Sequence, residues 1–165
     1  MTRTELRPLL ERVRFAVFDF DGVFTDNRVW VGEDGIESLA FSRSDGLGLR
    51  RLEEVHVKPL IVSMERNPIV AARAEKLRVD CFQGVDSKLG LVMEVADGLG
   101  VRMDETAYVG NDINDAECLR IVGLPVVPAD AWPEVVPLAK WVLTRGGGRG
   151  CVREFCDGVW EAQRA

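Results

Sequence analysis

The sequence predicts an α/β fold, a Rossmann-like parallel sheet with helices on both faces. Two observations carry that reading. Short apolar runs alternate with helix-length stretches along the chain, the pattern of strands joined by crossover helices. Polar residues collect just after those runs, at Asp19 and Asp21, at Ser63, and at Asn111 with Asp112. In open α/β sheets, ligands bind at the carboxyl ends of the strands. The length of 165 residues suits one domain, spanning residues 1–165.

Each element follows from its local pattern. Arg14 to Phe18 is a first strand, apolar enough to be buried on both faces. Val29-Trp30-Val31 and Leu39-Ala40-Phe41 flank Gly32-Glu33-Asp34-Gly35, which predicts a β-hairpin insertion after strand one. Asp45 to Val55 reads as a helix with Leu47, Leu49 and Leu52 on its apolar side. Pro59 to Val62 is a second buried strand, and Pro68 starts a helix running to Leu77. Val79 to Phe82 is a third strand, and Ser87 to Leu99 a helix with Leu89, Leu91, Val92, Val95 and Leu99 facing inward. Thr106 to Val109 is a fourth strand, Asp115 to Val122 helical, Leu124 to Val127 a fifth strand and Trp141 to Leu143 a sixth. Gly146 to Gly150 forms a flexible loop before a last helix from Val152 to Ala162.

Composition excludes several classes. Hydrophobic residues make 47% and charged residues 29%, ordinary for a globular protein. A net charge of −6 argues against broad nucleic-acid or anionic-membrane binding, yet leaves room for a locally cationic site. Cys81, Cys118, Cys151 and Cys156 form no C-x-x-C pair and read as reduced thiols. His56 is the only histidine, so a zinc site or a His-based triad is not expected. The charged stretch Met1 to Arg14 is no signal peptide, and a cytoplasmic location is expected.

The chemistry concentrates at Asp19-Phe20-Asp21-Gly22. Ionised carboxylates at the end of a buried strand are costly unless paired or bound to a metal. The pair alone fits either a metal site or a plain Asp-rich turn. Ser63, Asn111 and Asp112 should converge on it, with Lys88 just inside a helix start as a fourth member. Carboxylates, a hydroxyl and a lysine together suit a phosphate bridged by a divalent cation.

With those residues in view, the chain resembles the haloacid dehalogenase superfamily of phosphotransferases. The resemblance rests on D-x-D-G-V-x-T-D at Asp19 to Asp26, the hydroxyl of Ser63, Lys88, and G-N-D-x-x-D from Gly110 to Asp115. It runs from Phe15 to about Trp160 and includes the tail Gly147 to Glu154. It is similar to the small capless branch, with no cap domain. That branch includes 3-deoxy-manno-octulosonate 8-phosphate phosphatases, phosphatases of nine-carbon sialic acids, and the phosphatase-like module of animal CMP-sialic acid synthetases. The resemblance implies Asp19 as nucleophile, Asp21 as acid and base, Ser63 and Lys88 as phosphate-site catalytic residues, and Mg²⁺ at Asp19, Asp21, Asn111 and Asp112. Asp115 is expected to hold the residues of the Gly110–Asp115 motif, or the waters of the metal, in place. The superfamily pattern carries aspartate where this chain has Asn111, so weaker metal affinity is expected.

Glu65 and Lys76 match a glutamate–lysine pair of the nine-carbon branch, where octulosonate phosphatases carry Gly-Arg after the hydroxyl residue. The resemblance therefore favours a Mg²⁺-dependent phosphatase of a 2-keto-3-deoxy-nonulosonate 9-phosphate acting through an aspartyl-phosphate. Glu65, Lys76, Arg66 and Arg73 are its expected substrate-binding residues; solvated surface charges are the alternative account. The alternatives in function are an octulosonate 8-phosphate phosphatase, or a weakly active tetramerisation module associated with a cytidylyltransferase. A capless chain cannot close its own lid, so a homotetramer built through the hairpin is expected, with Val29, Val31, Leu39 and Phe41 in buried contacts. Arg149 is either a contact to an adjacent site or part of an ordinary glycine linker.

Overall fold

The computed structural model describes residues 3–165. In chain order the elements are α1 (Arg3–Arg12), β1 (Phe15–Phe18), β2 (Trp30–Val31), β3 (Glu37–Ser38), α2 (Ser44–Glu54), β4 (Lys58–Val62), α3 (Pro68–Leu77), β5 (Asp80–Phe82), α4 (Lys88–Gly98), β6 (Thr106–Val109), α5 (Ala116–Ile121), β7 (Leu124–Val127), β8 (Trp141–Val142) and α6 (Cys151–Arg164). Six strands form one sheet in the order β5-β4-β1-β6-β7-β8, every neighbouring pair parallel.

β1 is central and alternates between two cores. Ala16 and Phe18 face one side, with Leu10 of α1, Leu52 of α2, Val70 of α3 and Phe155 of α6. Phe15 and Val17 face the other, with Val92 of α4 and Leu119 of α5. This is the period-two geometry of a strand covered on both faces. The chain moves outward from β1 through β4 to β5, then returns to place β6 on the opposite side of β1. The strand order reverses there, which opens a crevice beyond the carboxyl ends of β4, β1 and β6.

The helices are anchored by ordinary devices. Asn67 caps α3 by accepting from Ile69 N at 3.0 Å, with Pro68 at the first helical position. The buried face of α2 is Asp45, Gly48, Leu49 and Leu52, while Leu47 points outward. Burial raises the Asp45 carboxyl to about 6.

The hairpin differs from its expected form. Its arms are two residues each, Trp30–Val31 against Glu37–Ser38, and all four are exposed. Leu39 and Phe41 leave the ladder and pack half-buried on the main core, Phe41 edge-on to Phe20 at 5.6 Å. The turn sets this register: Gly32 N donates to Ile36 O and Gly35 N to Gly32 O, each at 2.9 Å. All four cysteines are free thiols. Among the described residues no helix is long and apolar enough to cross a membrane.

Candidate active site

Three strand ends build the site. Asp19 and Asp21 follow β1, Ser63 follows β4, and Asn111 and Asp112 follow β6; all five line one open cleft of 390 Å³. Asp19 is buried, and its backbone N donates to Val109 O, which ties the two loops together. One of its carboxylate oxygens, Oδ1, takes both Lys88 Nζ and the Phe20 N–H, each at 2.7 Å. The other oxygen carries neither bond.

Lys88 sits beneath the cleft rather than in it. Its ammonium is buried and shared between Asp19 at 2.7 Å and Asp115 Oδ1 at 2.8 Å. Asp115 also accepts from Tyr108 OH at 2.7 Å, Asn111 N at 2.8 Å and Asp112 N at 3.3 Å. It thus holds the Asn111–Asp112 loop, one of the two roles expected of it, and also orients Lys88, which was not expected. One cation cannot neutralise two carboxylates. Burial first, and then the Asp115 charge, push the Asp19 carboxyl up to about 8, against the opposing pull of Lys88. The Lys88 ammonium is held above its ordinary pKa by Asp19 and Asp115, which outweigh its burial.

Asp21 is half-buried and its pKa is raised, mainly by burial and in part by the charges of Glu65 and Glu37. The Thr25 hydroxyl, 3.4 Å from Asp21 Oδ1, works the other way. Ser63 is buried and its Oγ accepts from Glu65 N at 3.0 Å. Asp112 Oδ1 accepts from Ile113 N, so it caps the short 3-10 turn that follows.

A cation fits this set. Asn111 Oδ1 is buried without a hydrogen-bond partner, and the Asp19–Lys88–Asp115 group carries one excess negative charge once Asp19 is ionised, the form a bound cation favours. Among the described residues no three His, Cys, Asp or Glu side chains come together as a metal-binding group. The candidate set is therefore poor in charge: the Asp19 carboxylate, the Asp21 main-chain carbonyl and the Asn111 amide oxygen, supplemented by the Asp112 carboxylate at the rim. Mg²⁺ keeps several waters and needs only one or two carboxylates, so the set is sufficient in kind.

The four expected substrate-binding residues do not gather here. Only Glu65 lines the cleft, and its Oε1 already accepts from Arg66 N at 2.6 Å and Asn67 N at 2.9 Å. Arg66 is exposed, with Asp86 at 3.9 Å as its nearest charge partner. Lys76 and Arg73 line a different cleft of 590 Å³, together with Arg43, Arg50 and Arg78. The reason is geometric: α3 starts at the cleft and runs away from it, so Lys76 is ~12 Å along the axis from Pro68. Arg73 lies over the Phe41 ring at 5.0 Å and donates to Ser42 O at 2.9 Å.

Two contributing residues escaped the sequence reading, Thr25 and Tyr108. Thr25 lies inside the motif from Asp19 to Asp26, four residues after Asp21. Tyr108 is the only tyrosine and sits in a buried strand, where its hydroxyl must find a partner.

A scan against protein-family models finds no match. The 3-deoxy-D-manno-octulosonate 8-phosphate phosphatase of Salmonella typhi is 34% identical over 161 residues, covering 97% of this chain and 86% of that protein. A crystal structure of a haloacid dehalogenase family hydrolase from Streptomyces avermitilis superposes with a TM-score of 0.88 at 40% identity, covering 90% of this chain and 86% of that one. The Moraxella catarrhalis 3-deoxy-D-manno-octulosonate 8-phosphate phosphatase, solved with magnesium, phosphate and the sugar acid, superposes with a TM-score of 0.93 at 27% identity, covering 98% and 93% of the two chains. With β1, β4 and β6 delivering Asp19, Ser63 and Asn111 to one cleft and no domain inserted above it, the chain belongs to the capless phosphatase branch of the haloacid dehalogenase superfamily.

Proposed function

We propose that this phosphoric monoester hydrolase is Mg²⁺-dependent and hydrolyses a 2-keto-3-deoxy sugar-acid phosphate of the octulosonate 8-phosphate type. The observation that carries the chemistry is Asp19, fixed through one oxygen by Lys88 and Phe20 N while the other oxygen takes neither bond. That second oxygen attacks phosphorus, and the bond from phosphorus to the sugar oxygen breaks. Asp21, whose raised pKa favours the protonated form, gives its proton to the departing oxygen. The same carboxylate then takes a proton from the water that splits the aspartyl-phosphate, returning Asp19 and inorganic phosphate. Ser63 Oγ donates to a phosphate oxygen, and Lys88 holds Asp19 in line. Mg²⁺ would be held by Asp19, the Asp21 main-chain carbonyl, Asn111 Oδ1 and Asp112. When bound it supplies the positive charge that offsets repulsion between carboxylate and phosphate.

Similarity supports the eight-carbon substrate over the nine-carbon one that Glu65 and Lys76 suggested, since the Salmonella typhi and Moraxella catarrhalis relatives are octulosonate phosphatases. The pair's logic also weakens within one copy, because Lys76 lies outside the phosphate cleft. A nine-carbon substrate stays as a second reading on one observation, the presence of Glu65 in the cleft lining. The deciding measurement is phosphate release from both sugar phosphates, side by side, with Mg²⁺ and with EDTA. Faster Mg²⁺-dependent turnover of the eight-carbon compound is expected. Preference for the nine-carbon compound would restore the Glu65 argument, and no release from either would sink the enzyme reading.

Assembly is part of the proposal. Val29, Trp30, Val31 and Ile36 of the hairpin are 49%, 74%, 62% and 66% exposed, an apolar surface beside an open cleft. A homotetramer that buries these hairpins would cover the cleft and exclude water. A substrate role for Lys76 and Arg73 needs that same assembly, with a neighbouring copy bringing the two clefts together. Light scattering should give four times the chain mass, and Trp30→Lys should lower it; a stable wild-type monomer would remove the borrowed lid.

Asn111 should limit metal binding. Asn111→Asp adds a charge where Oδ1 now lies unpartnered. It is expected to tighten Mg²⁺ binding by about ten-fold, the scale of one added carboxylate at a hard-cation site. Mg²⁺ titrations of both thermal stability and activity would read this. Unchanged affinity would mean that Asp112 already supplies the charge.

A further inference from the structure

Gly146-Gly147-Gly148-Arg149-Gly150 joins β8 to α6. A glycine run ordinarily reads as a flexible linker, but this one is tied down along its length. The Glu154 carboxylate accepts from Thr144 N at 2.9 Å and Arg145 N at 2.9 Å on the way in. Gly147 N donates to Asp130 Oδ1 at 2.9 Å and Gly148 N to Val23 O at 3.0 Å. Cys151 Sγ lies 3.2 Å from the same Val23 oxygen on the way out.

The loop is pressed against the turn that follows Asp21. A Cβ on Gly147 would lie 2.1 Å from Gly22 O and 2.6 Å from Thr25 O. Both are backbone atoms, so no rotamer change relieves the clash. Gly148 has φ +65°, and a Cβ there would lie 2.7 Å from Asp26 N. The two segments are thus in contact backbone to backbone, which only glycine permits.

The turn in question aims Asp21. Thr25 Oγ1 accepts from Gly22 N at 3.1 Å and Asn27 N at 3.2 Å, and lies 3.4 Å from Asp21 Oδ1 as its donor. Its two accepted bonds leave the hydroxyl hydrogen directed at the carboxylate. The direction of Asp21 therefore depends on the path of residues 22–26, and that path is fixed from behind by Gly147 and Gly148.

We propose that the glycine loop is a clamp that positions Asp21, acting through the Gly22–Asp26 turn and the Thr25 hydroxyl, with Gly147 as its central positioning residue. The proposal rests on Asp21 being the acid and base of the reaction. It also accounts for why these glycines lie far along the chain from Asp21 and yet against its turn.

The test is steady-state kinetics of Gly147→Ala in the intact protein with Mg²⁺ and the octulosonate phosphate. Displacing a catalytic group by about 1 Å costs up to ~10²-fold, so kcat should fall about 10- to 100-fold with KM nearly unchanged. Thr25→Val alone should lower kcat, and Thr25→Ser should restore it. In the Thr25→Val background, adding Gly147→Ala should cost little more, because both act through one contact. Gly98→Ala, in α4 with open space around it, is the control and should match wild type. If Gly147→Ala does not accumulate folded, Asp130→Ala frees Gly147 N without adding atoms and should show the same kcat loss, smaller. A Gly147→Ala enzyme with wild-type kcat, or one whose loss is undiminished by Thr25→Val, overturns the clamp. A wild type that releases no phosphate would instead overturn the phosphatase reading itself.

Discussion

Asp19→Asn should remove phosphate release from every sugar phosphate while leaving the fold intact. The amide keeps the shape and can still accept from Phe20 N, but it is no nucleophile. Loss of a covalent nucleophile costs at least about 10⁴-fold in kcat by the scale seen in other covalent catalysts. Stability should respond with a particular sign. In the metal-free protein burial raises the Asp19 carboxyl to about 8 from its ordinary 3.8, so the folded state binds this proton more tightly than the unfolded one. Its contribution is present below about pH 4 and is lost as pH rises towards 8. Asn has no such proton. Metal-free wild type should therefore lose stability between those limits more steeply than Asp19→Asn, read as urea midpoints across pH. Parallel pH profiles would mean that Asp19 is already ionised in the folded protein at low pH. Retained turnover would move the nucleophile elsewhere.

The legible parts of this protein were those fixed by local pattern. β6 and β7 fall on the residues expected of them because each is a bounded run of four buried residues. Asp19, Ser63 and Asn111 were legible because a parallel sheet puts the residue after each strand at one end. What failed was whatever distant packing decides. Leu47 was expected inside for being leucine, yet α2 turns Gly48 inward to lie against α6, where a Cβ would meet Arg153 Cα at 3.0 Å. The face at positions 45, 48, 49 and 52 then buries Asp45 and leaves Leu47 in solvent. Phe41 looked like a strand residue and is drawn under Arg73 and onto Phe20 instead. Lys76 sits eleven residues after Glu65, a spacing that carries no information about direction once a helix intervenes. The glycine loop read as flexible because its partners, Val23, Gly22 and Thr25, lie more than 120 residues away along the chain.

Lys88→Met tests whether the centre is a stability liability held together by one ammonium. Met approximates the length of the lysine stem and has no charge. It leaves Asp19 and Asp115 facing each other in a buried space, with Tyr108 OH and two backbone N–H groups still on Asp115. Removing one member of a buried charge group typically costs about 3–5 kcal/mol, because the remaining charge is uncompensated. A chain of this size has about 5–15 kcal/mol to lose, so the variant should fold but melt early. Activity should drop by about 10²- to 10³-fold, the range for losing one preorganised electrostatic group. Two further results separate lost charge pairing from lost packing. The stability deficit should shrink as pH falls through about 8, where the Asp19 carboxyl takes up its proton and no longer needs a partner. The double variant Asp19→Asn with Lys88→Met should be more stable than Lys88→Met alone, because it removes one of the two unpaired carboxylates. A deficit that is the same at all pH values, or a double variant less stable than Lys88→Met, would mean that Lys88 contributes through its buried stem. Asp19 would then owe its fixed oxygen to Phe20 N alone.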